Sequence, residues 1–131
     1  MTFFENELMK MFGKNEALTD IRCVGNALIG RLTRDTIAKI SFITTGYHGH
    51  YTNVLIQVIN PQTGEVDRHG INLSEAFGFS KKSIHIWDSD DGKVRWYNFT
   101  PSEQNYEDIN RTVQQYLEMF LEPVQGMQMN M

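Results

Sequence analysis

Between about Asp20 and Phe99, the sequence alternates short apolar runs with turn residues. Each run is rich in Ile, Val or aromatic residues, which is typical of β-strands. No pattern of helix length separates the runs, so consecutive strands are expected to pair antiparallel as a meander. Gly25 and Gly30 interrupt the first run and indicate a bulge or bend there. The runs predict six strands: IRCVGNALIGRL, TIAKISFITT, YTNVLIQVIN, EVDRHGINL, SIHIWD and VRWYNF.

A helix is predicted at the N-terminus, before the first strand. Thr2 and Glu5 fit a capping box, in which each side chain satisfies a free backbone N–H of the first turn. Gly13 is placed to end this helix. Its apolar stripe has helical spacing and consists of Phe4, Leu8, Met11 and Phe12.

A second helix is predicted after the last strand. The segment 100–103, Thr-Pro-Ser-Glu, offers a cap, a proline at the first helical position and a glutamate at the third. Asn105 is an alternative cap one turn later, and Pro123 is placed to stop the helix. The apolar stripe of this helix is Tyr106, Ile109, Val113, Tyr116, Leu117 and Phe120.

The turns allow the strand register to be drafted. Loops at residues 46–50 and 61–64 predict these cross-strand pairs: Thr45–Tyr51, Phe42–Val54, Ile40–Ile56, Ile59–Val66, Ile56–His69 and Val54–Ile71. The registers drafted from the two loops both place apolar side chains on the same face of the sheet. A shift of the strand pairing by one residue would move these side chains to the other face. We expect both helices to pack on this face, which collects Ala38, Ile40, Phe42, Val54, Ile56, Val58, Ile71 and Leu73.

These elements predict an α+β fold: an N-terminal helix, a mostly antiparallel meander sheet of about six strands, and a C-terminal helix packed on the sheet. Residues 1–122 are expected to form one domain, and residues 123–131 a disordered Met-rich tail. The opposite face of the sheet is less polar than a solvated face should be, which indicates a partner, a dimer contact or a covering helix. Its residues are Ile37, Ile43, Leu55, Ile59 and Val66 among Lys39, Gln57 and Arg68.

The segment GYHGHY contains two histidines, His48 and His50, which are the best candidates in the sequence for metal ligands. The drafted register places His69 some six residues along the strand from His50, which is about 20 Å. A single ion holds its ligands about 2 Å away, so His69 cannot complete the site. No carboxylate or cysteine lies near the pair in sequence. A hairpin loop is therefore the favoured interpretation, and no metal or cofactor is expected.

The last two strands form a predicted hairpin around the Asp-Gly pair at 91–92, a strong turn signal. A two-residue turn pairs Trp87 with Trp96 and places His85 on the same face. The two tryptophans either stabilise the hairpin or form an exposed aromatic platform for a partner. Lys81 and Lys82, just before the hairpin, either contact an acidic partner or lie in a solvated turn.

Charge is unevenly distributed along the chain. The formal net charge is −4, so direct nucleic-acid binding is not expected. Residues 88–122 carry three Lys/Arg and eight Asp/Glu, either as solvated faces or as carboxylates that mimic phosphates. The acidic-surface candidates are Asp88, Asp90, Asp91, Glu103, Glu107 and Asp108.

Cysteine usage and the absence of targeting signals suggest a cytoplasmic location. Cys23 is the single cysteine; it cannot form an internal disulfide, and its place in a strand predicts a buried, inert thiol. No apolar run approaches the roughly 18 residues of a membrane span, and the N-terminus does not fit a signal peptide. Hydrolase, P-loop, zinc-protease and dinucleotide motifs are also missing, so no enzymatic activity is expected.

Several stretches together resemble a known group of proteins: MTFFENEL, VGNALIGRL, AKISFITTG, YTNVLIQVIN and YEDINRTVQQYLEMF. The group comprises short uncharacterised proteins of Gram-positive gut bacteria, often carried on conjugative elements, and the likeness spans most of residues 2–121. The resemblance implies a cytoplasmic accessory protein of mobile DNA, such as an inhibitor or regulator of host defence. It transfers no site residues.

Three functional hypotheses follow. The first is a non-enzymatic protein-binding or regulatory module, with a protein partner or a homodimer through the second sheet face, and no membrane. The second is an acidic inhibitor of a nucleic-acid enzyme. The third is a small enzyme with a site at His48 and His50.

Overall fold

The computed structural model describes residues 2–44, 51–73, 76, 84–88, 95–99 and 102–121. Its elements are α1 (Phe3–Phe12), β1 (Thr19–Val24), β2 (Ala27–Arg31), β3 (Ile37–Thr44), β4 (Tyr51–Ile59), β5 (Val66–Asn72), β6 (Ile84–Asp88), β7 (Arg95–Phe99) and α2 (Glu103–Glu118). Strands β1 to β5 form a five-stranded antiparallel sheet in sequence order, and β6 and β7 form a separate two-stranded sheet. The α+β class and both terminal helices are therefore confirmed.

The prediction of a single sheet of about six strands is wrong in two respects. The first apolar run is a hairpin rather than one strand with a bulge: Val24 pairs with Ala27, and β1 and β2 are joined by two residues. Gly25 and Asn26 in that turn have φ of 57° and 62°, as a type I′ turn requires. The second difference is that β6 and β7 pair only with each other among the described strands.

The drafted register is correct along most of β3, β4 and β5. Five of the six predicted pairs are present, including Ile40–Ile56 and Ile56–His69. The exception is Tyr51, which pairs with Thr44 rather than Thr45 because the register shifts after Ile43. A bulge of this kind inserts one residue into a strand and leaves the pairing on its far side displaced by one.

One face of the five-stranded sheet and both helices share a single hydrophobic core. Ala38, Ile40, Val54 and Ile56 are 0% exposed, and Val58, Ile71 and Leu73 are 5% exposed or less. Phe42 is partly buried against this cluster. Full burial of each large aliphatic side chain contributes roughly 1.5–3 kcal/mol. The helices supply the other side of the core through Leu8, Met11, Phe12, Ile109, Val113 and Leu117.

Both helices begin with capping boxes. Thr2 accepts from the Glu5 backbone at 3.2 Å, and Glu5 Oε1 accepts from the Thr2 backbone at 2.9 Å, as predicted. The cap of α2 is Ser102, with Asn105 as its reciprocal partner at the third helical position. Asn105 is therefore not an alternative cap. Residues 100 and 101, Pro123 and the tail at 123–131 lie outside the described residues.

Hydrogen bonds of side-chain amides connect the loop between α1 and β1 to α2. Asn15 is 2% exposed, and its Nδ2 donates to Asn110 Oδ1 at 2.8 Å. Its Oδ1 accepts from the backbone N–H of Ala17 at 3.0 Å, and Gln114 Oε1 accepts from the backbone N–H of Glu16 at 3.0 Å. The bonds of Asn15 satisfy a buried polar side chain that would otherwise destabilise the fold, and the bonds to Asn110 and Gln114 join this loop to α2.

Across the ranges given above, neither helix combines the length and the apolar character needed to cross a membrane.

Candidate functional site

The face of the five-stranded sheet opposite the helices is the candidate site, and we call it the outer sheet face. Because side chains alternate along a strand, its residues lie between those of the core face. On the three strands β3, β4 and β5 they are Ile37, Lys39, Ser41, Ile43, Asn53, Leu55, Gln57, Ile59, Val66, Arg68, Gly70 and Asn72.

The outer sheet face combines apolar composition with solvent access. Ile43 is 43% exposed, and Ile37, Leu55, Ile59 and Val66 are half-buried. Core-face residues on the same strands, such as Ile40 and Val54, are completely buried. The apolar side chains predicted on this face are therefore present, and water reaches them. An apolar patch that water reaches, rimmed by polar residues, is typical of a surface that binds a partner.

The predicted aromatic hairpin has the expected backbone pairing. Trp87 lies opposite Trp96, and His85 lies opposite Asn98. Strand β7 approaches β4 of the main sheet. The structure describes only the backbone of these two strands, and Lys81 and Lys82 lie outside the described residues.

Three of the acidic-surface candidates lie together on α2. Glu103 Oε1 is 3.8 Å from Lys10 Nζ, and Asp108 Oδ1 is 3.1 Å from Arg111 NH1. Glu107 is exposed and has no ion pair with a described residue. Asp88 in β6 pairs with Arg95 in the backbone register, and Asp90 and Asp91 lie outside the described residues. The cations beside Glu103 and Asp108 reduce the free negative charge of this surface.

The predicted histidine pair, His48 and His50, lies outside the described residues. Among the residues that the structure does describe, no three His, Cys, Asp or Glu side chains are grouped to hold a metal ion. His69 instead stacks on Tyr116 of α2, with ring centroids 4.4 Å apart and planes 12° from parallel. Burial, followed by the negative charge of Asp67, raises the pKa of Tyr116.

A polar cluster between the two helices was not predicted. The hydroxyl of Tyr106 donates to Glu7 Oε1 at 2.7 Å, and Lys10 Nζ lies 4.7 Å from the centroid of the same ring. Burial, followed by the hydrogen bond to Glu7, raises the pKa of Tyr106 well above its usual range. Tyr106 was recognisable only as a member of the apolar stripe, because its partners lie on the other helix.

Cys23 lies in β1, as predicted, but it is half-buried rather than fully buried. Its Sγ donates to the backbone carbonyl of Glu5 at 3.7 Å. Burial, followed by the negative charge of Glu5, raises the pKa of the Cys23 thiol. Because the thiolate is the reactive form, this environment disfavours a nucleophilic role.

Comparisons with protein-family models, with curated proteins and with solved structures find no match to this chain.

Proposed function

We propose that this chain is a non-enzymatic protein-binding module that engages its partner through the outer sheet face. The observation that carries the proposal is the solvent access of aliphatic side chains on this face. Ile43 is 43% exposed, and the half-buried Leu55 lies one row away from it. Ile37, Ile59 and Val66 form a second half-buried row towards the other end of these strands. Transfer of such side chains from water into an interface is favourable by roughly 25 cal/mol per Å² of apolar surface. The face is preformed on a sheet with a packed core behind it, which reduces the entropy lost on binding.

The cellular setting is part of the same proposal. The resemblance to proteins of conjugative elements suggests an accessory or regulatory factor of mobile DNA. The single cysteine suggests a reducing compartment. We therefore propose that the partner is a cytoplasmic protein of the bacterial host or of the mobile element.

The proposal is tested by substitutions that add charge to the outer sheet face. Ile43→Asp and Leu55→Asp place a carboxylate in the proposed interface. Met119→Asp is the matched control, because Met119 is 61% exposed but lies at the end of α2. Affinity capture from the native cells, with quantitative mass spectrometry, measures the retained partners.

We expect the two face variants to lose the partner that the wild-type chain and Met119→Asp retain. Circular dichroism and thermal unfolding establish that each variant is folded. If both folded face variants retain every partner at wild-type yield, the outer sheet face is not the binding surface.

The acidic-inhibitor hypothesis is the second candidate, supported by the exposure of carboxylates on α2. The Glu103 side chain is 88% exposed, and Glu107 lies one turn further on the same face. This function predicts a basic partner whose binding weakens steeply with salt. Glu103→Gln with Glu107→Gln would then abolish capture, whereas Ile43→Asp would not.

A further inference from the structure

We propose that the outer sheet face recognises an acidic, partly apolar segment of its protein partner; this inference rests on the proposed function. The evidence is the order in which charged and apolar side chains cross the sheet. Residues that are partners in adjacent strands form rows across all five strands, and each row presents its side chains on one face.

The central row of the outer sheet face is cationic and polar. It runs Arg22, Ile29, Lys39, Gln57 and Arg68 from β1 to β5. Adjacent strands are about 4.8 Å apart, so Lys39 lies roughly 10 Å from each arginine along the row. A partner that crosses the strands therefore meets a positive charge at every second strand.

The rows on either side are mainly apolar. One runs Thr19, Arg31, Ile37, Ile59 and Val66, and the other runs Val24, Ala27, Ser41, Leu55 and Gly70. No acidic residue occupies any of these three rows. The surface thus presents a line that contains three cations between two lines of mainly apolar residues, and its complement is a segment with carboxylates flanked by apolar residues.

The cations of the central row are available to a partner. Arg31, in the flanking row, is paired with Asp20 at 3.6 Å. Lys39 and Arg68, by contrast, form no ion pair within the described part of the chain. Unpaired cations beside apolar surface favour carboxylate partners, because complementary charge fixes orientation and raises the association rate.

A second copy of this chain fits the surface poorly. In a two-fold symmetric dimer whose axis passes through the centre of this face, the same patch meets itself, which would bring the cationic row of one copy against that of the other. Like charges placed opposite each other are destabilising. The charge pattern therefore favours a different protein over the homodimer predicted from the apolar residues alone.

Nucleic acid also fits the surface poorly. Single strands bind through aromatic side chains on which bases stack, and the three rows contain aliphatic rather than aromatic residues. The formal net charge of −4 opposes the approach of a polyanion. A short acidic peptide carries less charge and supplies apolar side chains for the flanking rows.

Fluorescence anisotropy with synthetic peptides tests the inference. The probe is a labelled amphipathic helical peptide of glutamate, leucine and alanine. Its control has glutamine at each glutamate position, and a labelled oligothymidylate is the nucleic-acid arm. The protein variant is Lys39→Glu with Arg68→Glu, and Lys14→Glu is the matched control because Lys14 is exposed and outside the three rows.

We expect the acidic peptide to bind the wild-type chain and Lys14→Glu equally, and the double variant at least about tenfold more weakly. The glutamine peptide should bind wild type about tenfold more weakly than the acidic peptide. Lys39→Gln with Arg68→Gln is the milder variant if the charge reversal does not fold, and it should also weaken binding.

The inference would be overturned if the acidic peptide did not bind the wild-type chain, or if it bound the double variant as tightly as wild type. It would also be overturned if oligothymidylate bound more tightly than the acidic peptide. Concentration-dependent dimerisation that Lys39→Glu strengthens would likewise overturn it. The proposed function fails separately, through the Ile43→Asp and Leu55→Asp capture. A partner that is lost from those variants but binds the charge-reversed protein normally would leave the function intact and refute only the acidic selectivity.

Discussion

The side chains of Asn15 and Asn110 are joined by a hydrogen bond of 2.8 Å that connects the loop after α1 to the middle of α2. Asn15→Ala removes this bond and the acceptor of the Ala17 backbone N–H at a buried position. We expect the free energy of unfolding to fall by about 1–3 kcal/mol, the cost of leaving buried polar groups unpaired. Urea denaturation measures the change.

Asn110→Ala and the double variant complete a thermodynamic cycle for this bond. The double variant should cost less than the sum of the single changes, because each single change already breaks the same bond. Strict additivity would mean that the two amides contribute independently.

Gly30 leaves space for a neighbouring side chain in the core. A Cβ at this position would lie 2.9 Å from Leu18 Cβ and 3.1 Å from Leu18 Cδ1, and Leu18 is only 5% exposed. Overpacking of this kind costs about 1–3 kcal/mol, so we expect Gly30→Ala to lower the midpoint of thermal unfolding. Gly70→Ala is the control, since its Cβ would meet no atom within 4 Å; equal destabilisation by both would contradict the steric explanation.

Asn26 has two roles in the β1–β2 turn that substitutions can separate. It adopts a φ of 62°, and its Oδ1 accepts from the hydroxyl of Thr2 at 2.6 Å. Asn26→Gly keeps the conformational freedom and loses only the hydrogen bond. Asn26→Ala also incurs a left-handed backbone cost of about 1–2 kcal/mol, so urea denaturation should rank wild type above Asn26→Gly and Asn26→Gly above Asn26→Ala. A reversed order of the two variants would exclude strain at this turn.

The capping box of α1 should make stability depend on pH in the acidic range. The backbone N–H of Thr2 donates to Glu5 Oε1 and lowers the pKa of that carboxyl below its ordinary 4.5. A carboxyl whose pKa is lower in the folded chain stabilises it above the ordinary value, and this contribution is lost as pH falls through the folded value. As the pH is lowered through this range, the midpoint of thermal unfolding should fall less for Glu5→Gln than for wild type. Identical pH profiles of the two proteins would exclude a contribution of the Glu5 carboxyl to the pH dependence of stability.

The core face could be predicted from the sequence because alternation along each strand and two independent turns agreed. Ile40, Val54 and Ile56 lie where the turn at residue 64 and the loop at 46–50 place them. The bulge after Ile43 was not predictable, because a single inserted residue leaves the apolar pattern before it unchanged.

The first hairpin was missed for a local reason. Apolar residues continue on both sides of Gly25 and Asn26, so the turn resembles an irregularity within one long strand. The Asn15–Asn110 bond and the Tyr106–Glu7 bond were missed for a different reason: each joins residues more than ninety positions apart. The row that contains Arg22, Lys39 and Arg68 could not be predicted either, because the position of Arg22 depends on the pairing of β1 with β2.

Photo-crosslinking from Gln57, at the middle of the outer sheet face, tests the binding role most directly. A benzoylphenylalanine at position 57 is compared in the native cells with one at Glu107, which is exposed on α2. We expect a discrete crosslinked partner from position 57 and none from position 107. Adducts from position 107 alone, with none from position 57, would show that the partner binds the helical side and would contradict the proposed function.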